Sequence, residues 1–352
     1  EMQRSLVGSE MCIRDRTWEK ASTFNIGLDF TMLNQRLDFS FDWYQRTTSD
    51  MLVKVEYPEV LGTTAPPANK AELRTRGWEV SVKWNDRIGN DFSYDLGFIL
   101  SDSQAEITKY ENPSGTLSDY YVGQKIGEIW GYETEGFYQS DTDVQNHADQ
   151  SKLGANWAPG DIMYKDLDGN KKINNGSNTL DDHGDLKVIG NTTPRYQYGI
   201  TANMSYKNVY LNVFFQGIGK RDFWPSSQPF WPVATQYYNT QKWFVTDSWS
   251  EDNRDAYFAR PIARETKNQQ KQTKYLQDAS YCRLKNLTVG YDFPKSWLSF
   301  LHVAKAGVYF SAENLFEFTN VKGAYDPEAA GKNGTMVYPF QRTYSFGLNV
   351  TF

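Results

Sequence analysis

Oxygen-bearing side chains alternate along a short segment in the middle of the chain. Asp166, Asp168 and Asn170 take positions one, three and five, and the aliphatic Ile173 takes position eight. This spacing is typical of an EF-hand loop, in which carboxylate and amide oxygens converge on one calcium ion. The backbone carbonyl of Lys172 would occupy position seven. The segment therefore predicts a structural Ca²⁺ site that clamps a long loop.

The same segment departs from the calcium-loop pattern at two positions. Lys171 stands where such a loop has glycine, and Ser177 stands where a bidentate glutamate would close the site. A carboxylate displaced by an insertion would restore the missing ligand. We assign that role to Asp182, with Asp181 and Asp185 as alternatives. A metal-free acidic turn, satisfied by backbone amides, stays open as a second interpretation.

A cluster of aromatic side chains around position 230 has a different binding chemistry. Its members are Phe223, Trp224, Phe230, Trp231, Tyr237, Tyr238, Trp243 and Trp249. Flat rings can stack on the apolar faces of sugars, while Gln228, Gln236 and Asn239 can hydrogen-bond hydroxyl groups. We single out Trp224 and Trp231 as candidate substrate contacts. The alternative is that the rings form the core of their own loop or contact a partner protein.

The sequence offers little for catalysis. Its three histidines, His147, His183 and His302, all fall in predicted loops or turns. A serine–histidine–aspartate triad is defined by geometry, so the presence of the three residue types indicates nothing by itself. Neither a glycine-rich phosphate loop nor paired cysteines with metal-ligand spacing occurs. We therefore predict that the protein is not an enzyme.

The elements that carry these groups are strands with strict alternation. In the terminal strand, Tyr344, Phe346, Leu348, Val350 and Phe352 share one face, and the residues between them are small or polar. Such a strand suits a barrel that presents apolar side chains to lipid and polar ones to a wet lumen. The last strand of a soluble sandwich also alternates, so this strand alone does not decide the fold.

Alternation recurs along the chain and predicts about nine strands in all. The other eight cover 24–32, 37–43, 78–84, 92–98, 198–206, 209–215, 287–291 and 306–312. Short links at 33–35, 85–91, 207–208 and 294–303 alternate with long ones at about 47–75, 102–195, 217–282 and 313–341. Outer-membrane barrels have short periplasmic turns and longer external loops, whereas a sandwich gives no reason for this parity. The predicted fold is all-β, a transmembrane antiparallel β-barrel with long extracellular loops.

Composition is compatible with a barrel. The mean hydropathy is −0.66 and 39% of the residues are apolar, and no run approaches the roughly 20 successive apolar residues that a membrane helix needs. A barrel hides its hydrophobicity in alternation, so a polar average does not exclude the membrane. Aromatic residues make up 16% of the chain, which suits interfacial girdles. The net charge of −6 gives no indication of a nucleic-acid partner.

The amino terminus does not fit the strand pattern. Residues 1–16 (EMQRSLVGSEMCIRDR) resemble translated sequencing-adapter sequence, so we predict a non-native segment there, with an ordinary polar linker as the alternative. No signal peptide is visible, and nine strands do not close a bacterial barrel, whose strand number is even. We therefore expect 17–352 to be the carboxyl-terminal part of a larger barrel. Cys12 belongs to the first segment, which leaves Cys282 without a disulfide partner.

A series of short motifs, in order along the chain, resembles one family. The motifs are Asn69 with TRGWEV at 75–80, IWGY at 129–132 with GFY at 136–138, PGDI at 159–162, DLDGNKKIN at 166–174, IGN at 189–191 with PRY at 194–196, Trp249 with Asn253 and Arg260-Pro261, SYCRLKNLTVGY at 280–291, AENLF at 312–316 and YDPE at 325–328. With the terminal strand, they make Ala21 to Phe352 similar to the SusC/RagA-type TonB-linked outer-membrane transporters of Bacteroidota. The segment 280–291 is the closest match.

The resemblance implies a large plugged barrel, since barrels of about 22 strands are outer-membrane transporters with a filled lumen. It implies import of oligosaccharides or peptides, a SusD-like surface lipoprotein as partner, and energy from TonB–ExbB–ExbD delivered through a plug. It also implies the outer membrane of a Gram-negative bacterium and the barrel-assembly machinery, which reads a terminal aromatic residue such as Phe352. We identify neither a plug nor a TonB box in the sequence. A passive porin and a soluble calcium-dependent carbohydrate-binding β-sandwich stay open as alternatives.

Overall fold

The structure is a computed structural model that describes residues 17–54, 67–227, 230–232, 240–299, 302–323, 325–329 and 340–352. Several sequence predictions fall outside these ranges. They concern the proposed non-native segment 1–16 with Cys12, and Gln228, Gln236, Tyr237, Tyr238 and Asn239 of the aromatic segment.

The described residues form short helices and many strands. The strands are β1 (Lys20–Met32), β2 (Leu37–Val53), β3 (Ala68–Ile88), β4 (Phe92–Lys109), β5 (Glu128–Tyr132), β6 (Thr134–Phe137), β7 (Ile162–Tyr164), β8 (Leu186–Asn191), β9 (Arg195–Tyr206), β10 (Val209–Lys220), β11 (Asp222–Phe223), β12 (Gln277–Asp278), β13 (Tyr281–Asp292), β14 (Lys305–Glu313), β15 (Glu317–Thr319) and β16 (Thr343–Thr351). The helices are α1 (Asp141–Asn146), α2 (Lys242–Thr246), α3 (Lys295–Leu298) and a 3₁₀ turn at Lys267–Gln269. Within the described ranges, every helix is too short or too polar to cross a membrane.

One antiparallel sheet contains all nine predicted strands. Its order is β1-β2-β3-β4-β9-β10-β13-β14-β16, with β15 paired beside β13. Strands that are consecutive among these nine along the chain are therefore paired in the sheet, whether a short turn or a long loop connects them. The all-β prediction is confirmed, and the strands lie in one continuous sheet and not in the two stacked sheets of a sandwich.

The register aligns the apolar positions of neighbouring strands on one face. Ile26 lies opposite Trp43 at one end of the sheet, and Val308 lies opposite Leu348 at the other. This face is uncovered, since Ile26 is 57% exposed and Leu348 is 66% exposed. A soluble protein seldom exposes so extended an apolar surface, whereas a barrel presents such a face to lipid.

The strands run further on the long-loop side than alternation predicted. The predicted link 47–75 is shorter in the structure, because β2 continues to Val53 and β3 begins at Ala68. With 21 residues, β3 is about 70 Å long at about 3.3 Å per residue, more than twice the roughly 30 Å of hydrocarbon. Its first half carries Glu72, Arg74 and Arg76. Alternation of hydrophobicity therefore ends while backbone pairing continues.

The hydrophobic core lies in the two longest loops, which fold together. In the first loop, β5 pairs with β8 and β6 pairs with β7, and Tyr132 bridges to Gln272 of the second. The buried members of this loop core are Tyr132, Phe137, Ile162, Tyr164, Ile173, Phe230, Trp231, Phe244, Trp249, Ala256, Phe258, Ala259 and Tyr275. The two long loops thus form one packed unit at the long-loop end of the sheet.

Candidate functional site

The acidic segment forms a tight loop. Its carboxylate and amide oxygens accept hydrogen bonds from backbone amides two to five residues later in the chain. Asp166 accepts hydrogen bonds from the amides of Gly169 and Lys171, both at 2.8 Å. Asp168 accepts one from the amide of Asn170 at 3.0 Å, and Asn170 Oδ1 accepts one from the amide of Lys172 at 2.7 Å. Slight burial opposes ionisation of Asp166, but the Lys171 and Gly169 amides outweigh it and hold the pKa of its carboxyl below the usual value.

The third carboxylate of this loop is Asp185. One oxygen each of Asp166, Asp168 and Asp185 lie within 4.8 Å of one another. Asp185 is fully buried, and it accepts hydrogen bonds from the amides of Leu167 (2.7 Å) and Asn174 (2.9 Å). A third carboxylate thus joins Asp166 and Asp168 from further along the chain.

For this role the geometry favours Asp185, one of the alternatives, over Asp182. The Asp182 carboxylate accepts hydrogen bonds from the amide of Ser177 at 2.9 Å and from the Ser177 hydroxyl at 2.6 Å. It closes a neighbouring turn and lies outside the three-carboxylate group. The sequence could not choose between Asp182 and Asp185, because both follow the loop at similar distances along the chain.

The structure also places the three other positions of the pattern, Lys171, Lys172 and Ile173. Lys171 has φ of 60°, the left-handed conformation that glycine usually provides at the sixth position, so this departure does not alter the path of the loop. Ile173 is fully buried in the loop core. The Lys172 carbonyl accepts a hydrogen bond from the Asn174 side chain at 3.1 Å. Three carboxylates and an amide oxygen are hard donors that fit Ca²⁺.

The aromatic segment forms protein core around Phe230. The Trp231 ring lies 4.8 Å from Phe230 and 5.0 Å from Tyr275, and its Nε1 donates to the carbonyl of Pro225 at 2.7 Å. At 8% exposure, Trp231 packs into this core, as the alternative interpretation expects, and its role as a substrate contact stays a prediction. Trp224 is half-buried against this core, and its role as a substrate contact stays a prediction.

A buried ion network joins the two long loops. Asp161 is fully buried and forms a two-pronged pair with Arg260 at 2.8 and 2.9 Å. Lys267 Nζ lies 2.9 Å from the same carboxylate, and Asn268 donates to it at 2.9 Å. Burial raises the pKa of Asp161, but the Arg260, Asn268 and Lys267 hydrogen bonds outweigh it, so the pKa lies below its usual value.

A second network fastens the last long loop to the sheet. Arg283 of β13 is 1% exposed and contacts three carboxylates, those of Glu317, Asp326 and Glu328. The Asp326 contact is 2.8 Å and the Glu328 contact is 2.5 Å, and Lys285 also pairs with Glu328 at 2.7 Å. The motifs at 280–291 and 325–328 therefore meet in space. Their charged residues hold the loop in position.

The histidines take part in local packing. His147 ends α1, with its Nδ1 3.0 Å from the Tyr138 hydroxyl. The His183 ring lies 5.5 Å from that of Trp130 beside the acidic loop, and His302 lies in the turn after α3. These contacts account for His147 and His183 as structural residues.

Comparisons with known proteins cover almost the whole chain. It is 30% identical to the TonB-dependent receptor P3 of Formosa agariphila over 95% of this chain and 34% of that receptor. It is 27% identical to the TonB-dependent receptor SusC of Bacteroides thetaiotaomicron over 95% of this chain and 32% of that receptor. The chain is a homologue of SusC/RagA-type TonB-dependent receptors.

The fold agrees with the SusC/RagA assignment. A solved structure of the RagAB peptide transporter matches with a TM-score of 0.72 at 25% identity, covering 95% of this chain and 36% of that one. No protein-family model matches the chain. The chain spans about a third of the length of the curated relatives that it matches, and its sheet corresponds to the carboxyl-terminal portion of a TonB-dependent barrel.

Proposed function

We propose that this chain supplies the carboxyl-terminal strands and external loops of a TonB-dependent importer in the outer membrane of a Gram-negative bacterium. The observation that carries the proposal is the similarity to SusC and to the RagAB peptide transporter across the whole nine-strand sheet. The exposed apolar face of that sheet supports a lipid environment. Residues 17–352 would form this part of the barrel, and residues 1–16 would not contribute to it.

The cargo would be a peptide or an oligosaccharide, captured together with a SusD-like lipoprotein. The name of the RagAB relative supports a peptide. TonB–ExbB–ExbD would supply the energy through the plug of such a receptor. The relatives are named as receptors and a transporter, which supports transport over catalysis.

TonB dependence separates this proposal from a passive porin. Uptake of fluorescent oligopeptides and oligosaccharides would be compared in cells that produce the intact gene product, with and without a functional tonB gene. We expect uptake of one cargo class to fall to background when tonB is deleted, because import against a gradient needs the energy that TonB delivers. Unchanged uptake in the tonB mutant would favour the porin.

We also propose that the acidic loop binds Ca²⁺ through Asp166, Asp168, Asn170 and Asp185. Bound calcium would tie the loop to the core through Ile173, and binding to the folded state alone raises stability by about 2.7 kcal/mol at 100 times the dissociation constant. EGTA should therefore lower the melting temperature by a few degrees. Asp185→Asn should abolish that shift, whereas Asp182→Asn should keep it. An EGTA-insensitive wild type would contradict the proposal.

Phe352 is proposed as the signal that the barrel-assembly machinery reads. It directly follows β16, continues the alternation of its apolar positions, and is 90% exposed. Phe352→Asp should reduce the surface level of the intact gene product several-fold, while Phe352→Tyr should preserve it. Equal levels of the two variants on quantitative immunoblots of outer membranes would contradict the role of Phe352 as an assembly signal.

A further inference from the structure

The turn between β13 and β14 differs from the other connections at its end of the sheet. The β9–β10 link is the pair Lys207–Asn208, and the β3–β4 link covers 89–91, whereas this connection contains the helix α3. Leu298 of that helix is buried, but Trp297 is 62% exposed. Most of this large ring is therefore left open to the surroundings, with the Phe293 ring as a neighbour.

Trp297 extends the apolar face of the sheet beyond its last strand residues. The Tyr291 and Phe293 rings lie 5.6 Å apart, and the Phe293 and Trp297 rings lie 6.2 Å apart. Tyr291 is opposite Val308, which in turn is opposite Leu348 on the exposed apolar face. The three rings therefore form a continuous path from that face onto α3.

The chemistry of this end matches the boundary between hydrocarbon and water. An indole has an apolar body and one N–H donor, so tryptophan favours the headgroup level of a bilayer. Lys295 on the same helix is exposed. Its ammonium group can reach headgroup phosphates while its stem stays on apolar surface.

We propose that α3 lies in the phospholipid headgroup layer on the short-turn side of the membrane and that Trp297 anchors the sheet there. The molecule that contacts the exposed Trp297 ring is thus a phospholipid, and this inference rests on the membrane location proposed above. Continuity with the lipid-facing strands favours lipid over a periplasmic protein, which would have no reason to contact the outward face.

Spin labels test this placement in the intact gene product, reconstituted in phosphatidylethanolamine–phosphatidylglycerol vesicles. Every cysteine of the intact gene product would first be replaced by serine. Single labels would then be introduced at Trp297→Cys, at the matched position Ser296→Cys on the same helix, and at Leu348→Cys on the apolar face. Collision rates with oxygen, which enriches in lipid, and with a water-soluble nickel complex would be measured for each label.

We expect the oxygen-to-nickel ratio at 297 to lie between the high value at 348 and the low value at 296, and to exceed the latter several-fold. A ratio at 297 equal to that at 296, with 348 in lipid, would overturn the anchor and leave the membrane location standing. Low rates for both reagents at 297 would indicate a protein partner and would also overturn it. An aqueous label at 348 would contradict the membrane location itself, and the anchor with it.

Discussion

Asp161→Ala should destabilise the packed loop core by about 3–5 kcal/mol, because removing one partner of a buried ion pair leaves the other charge uncompensated. Lys267, at 2% exposure, would retain a buried ammonium without its carboxylate. Arg260 would lose both of its hydrogen bonds to the Asp161 carboxylate. The two long loops would lose the polar contact that joins them.

The effect should be local, so hydrogen exchange is the appropriate measurement. Each 1.4 kcal/mol is a factor of ten in an equilibrium constant, and amide protection in 158–164 and 258–275 should therefore fall by about a hundredfold or more. Protection in β9 and β10 should change little. Asp252→Ala, at an exposed aspartate in the same loop pair, is the matched control and should stay close to wild type. Equal protection in Asp161→Ala and the control would refute the role of the network.

The same network predicts how the loops respond to acid. The pKa of Asp161 is lower in the folded protein than its usual value, so its contribution to stability is complete above about pH 4 and is lost only as pH falls through the lowered value. We therefore expect loop protection, corrected for intrinsic exchange, to be the same at pH 7 and pH 5. A loss between these two values would assign the acid response to another group.

Arg283→Ala should release the last long loop from the sheet, with a cost of about 3 kcal/mol, at the lower end of the range for a broken buried pair. The expected cost is at the lower end because Glu317 is 34% exposed, so that water can hydrate its carboxylate after the substitution. Three carboxylates would then lie close together, and Lys285 pairs with one of them, Glu328. Mutual repulsion of these carboxylates should open the segment around Asp326.

Limited proteolysis between 315 and 330 would measure this release. Cleavage of Arg283→Ala should be about a hundredfold faster than that of the wild type if opening governs cleavage. Arg283→Lys should be intermediate, since an ammonium retains the charge but lacks the planar fork that reaches several carboxylates. Arg342→Ala, at an exposed arginine, serves as the control. An unchanged cleavage rate in Arg283→Ala would contradict the proposal that this network holds the loop on the sheet.

The sheet was predictable because its signal is local. A period of two in residues such as Phe346, Leu348 and Val350 reflects the geometry of a single strand and needs no knowledge of distant contacts. For the same reason, alternation missed the polar extension of β3, where pairing persists without an apolar face. The positions of Asp166, Asp168 and Asn170 in one loop also followed from their spacing.

Local patterns of hydrophobicity could not predict the loop core or its ion networks. Asp161 and Arg260 are 99 residues apart, and no local period relates them. Composition cannot distinguish a ring that faces a ligand from one that packs on Phe230 and Tyr275, as the Trp231 ring does. A partial signal existed, since PGD at 159–161, the Arg260-Pro261 pair and the YDPE motif were among the family-like segments. Their charged residues are the ones that hold the loops together.

The central claim is that the apolar face of the sheet contacts lipid. Its most direct test is a fluorophore scan of Tyr344–Thr351 in β16, with one labelled cysteine at a time in the intact gene product, in vesicles that contain brominated lipid. We predict that lipid quenching alternates with a period of two, strong at 344, 346, 348 and 350 and weak at 345, 347, 349 and 351. Uniform quenching, or none at any position, would contradict the membrane barrel and the import function built on it.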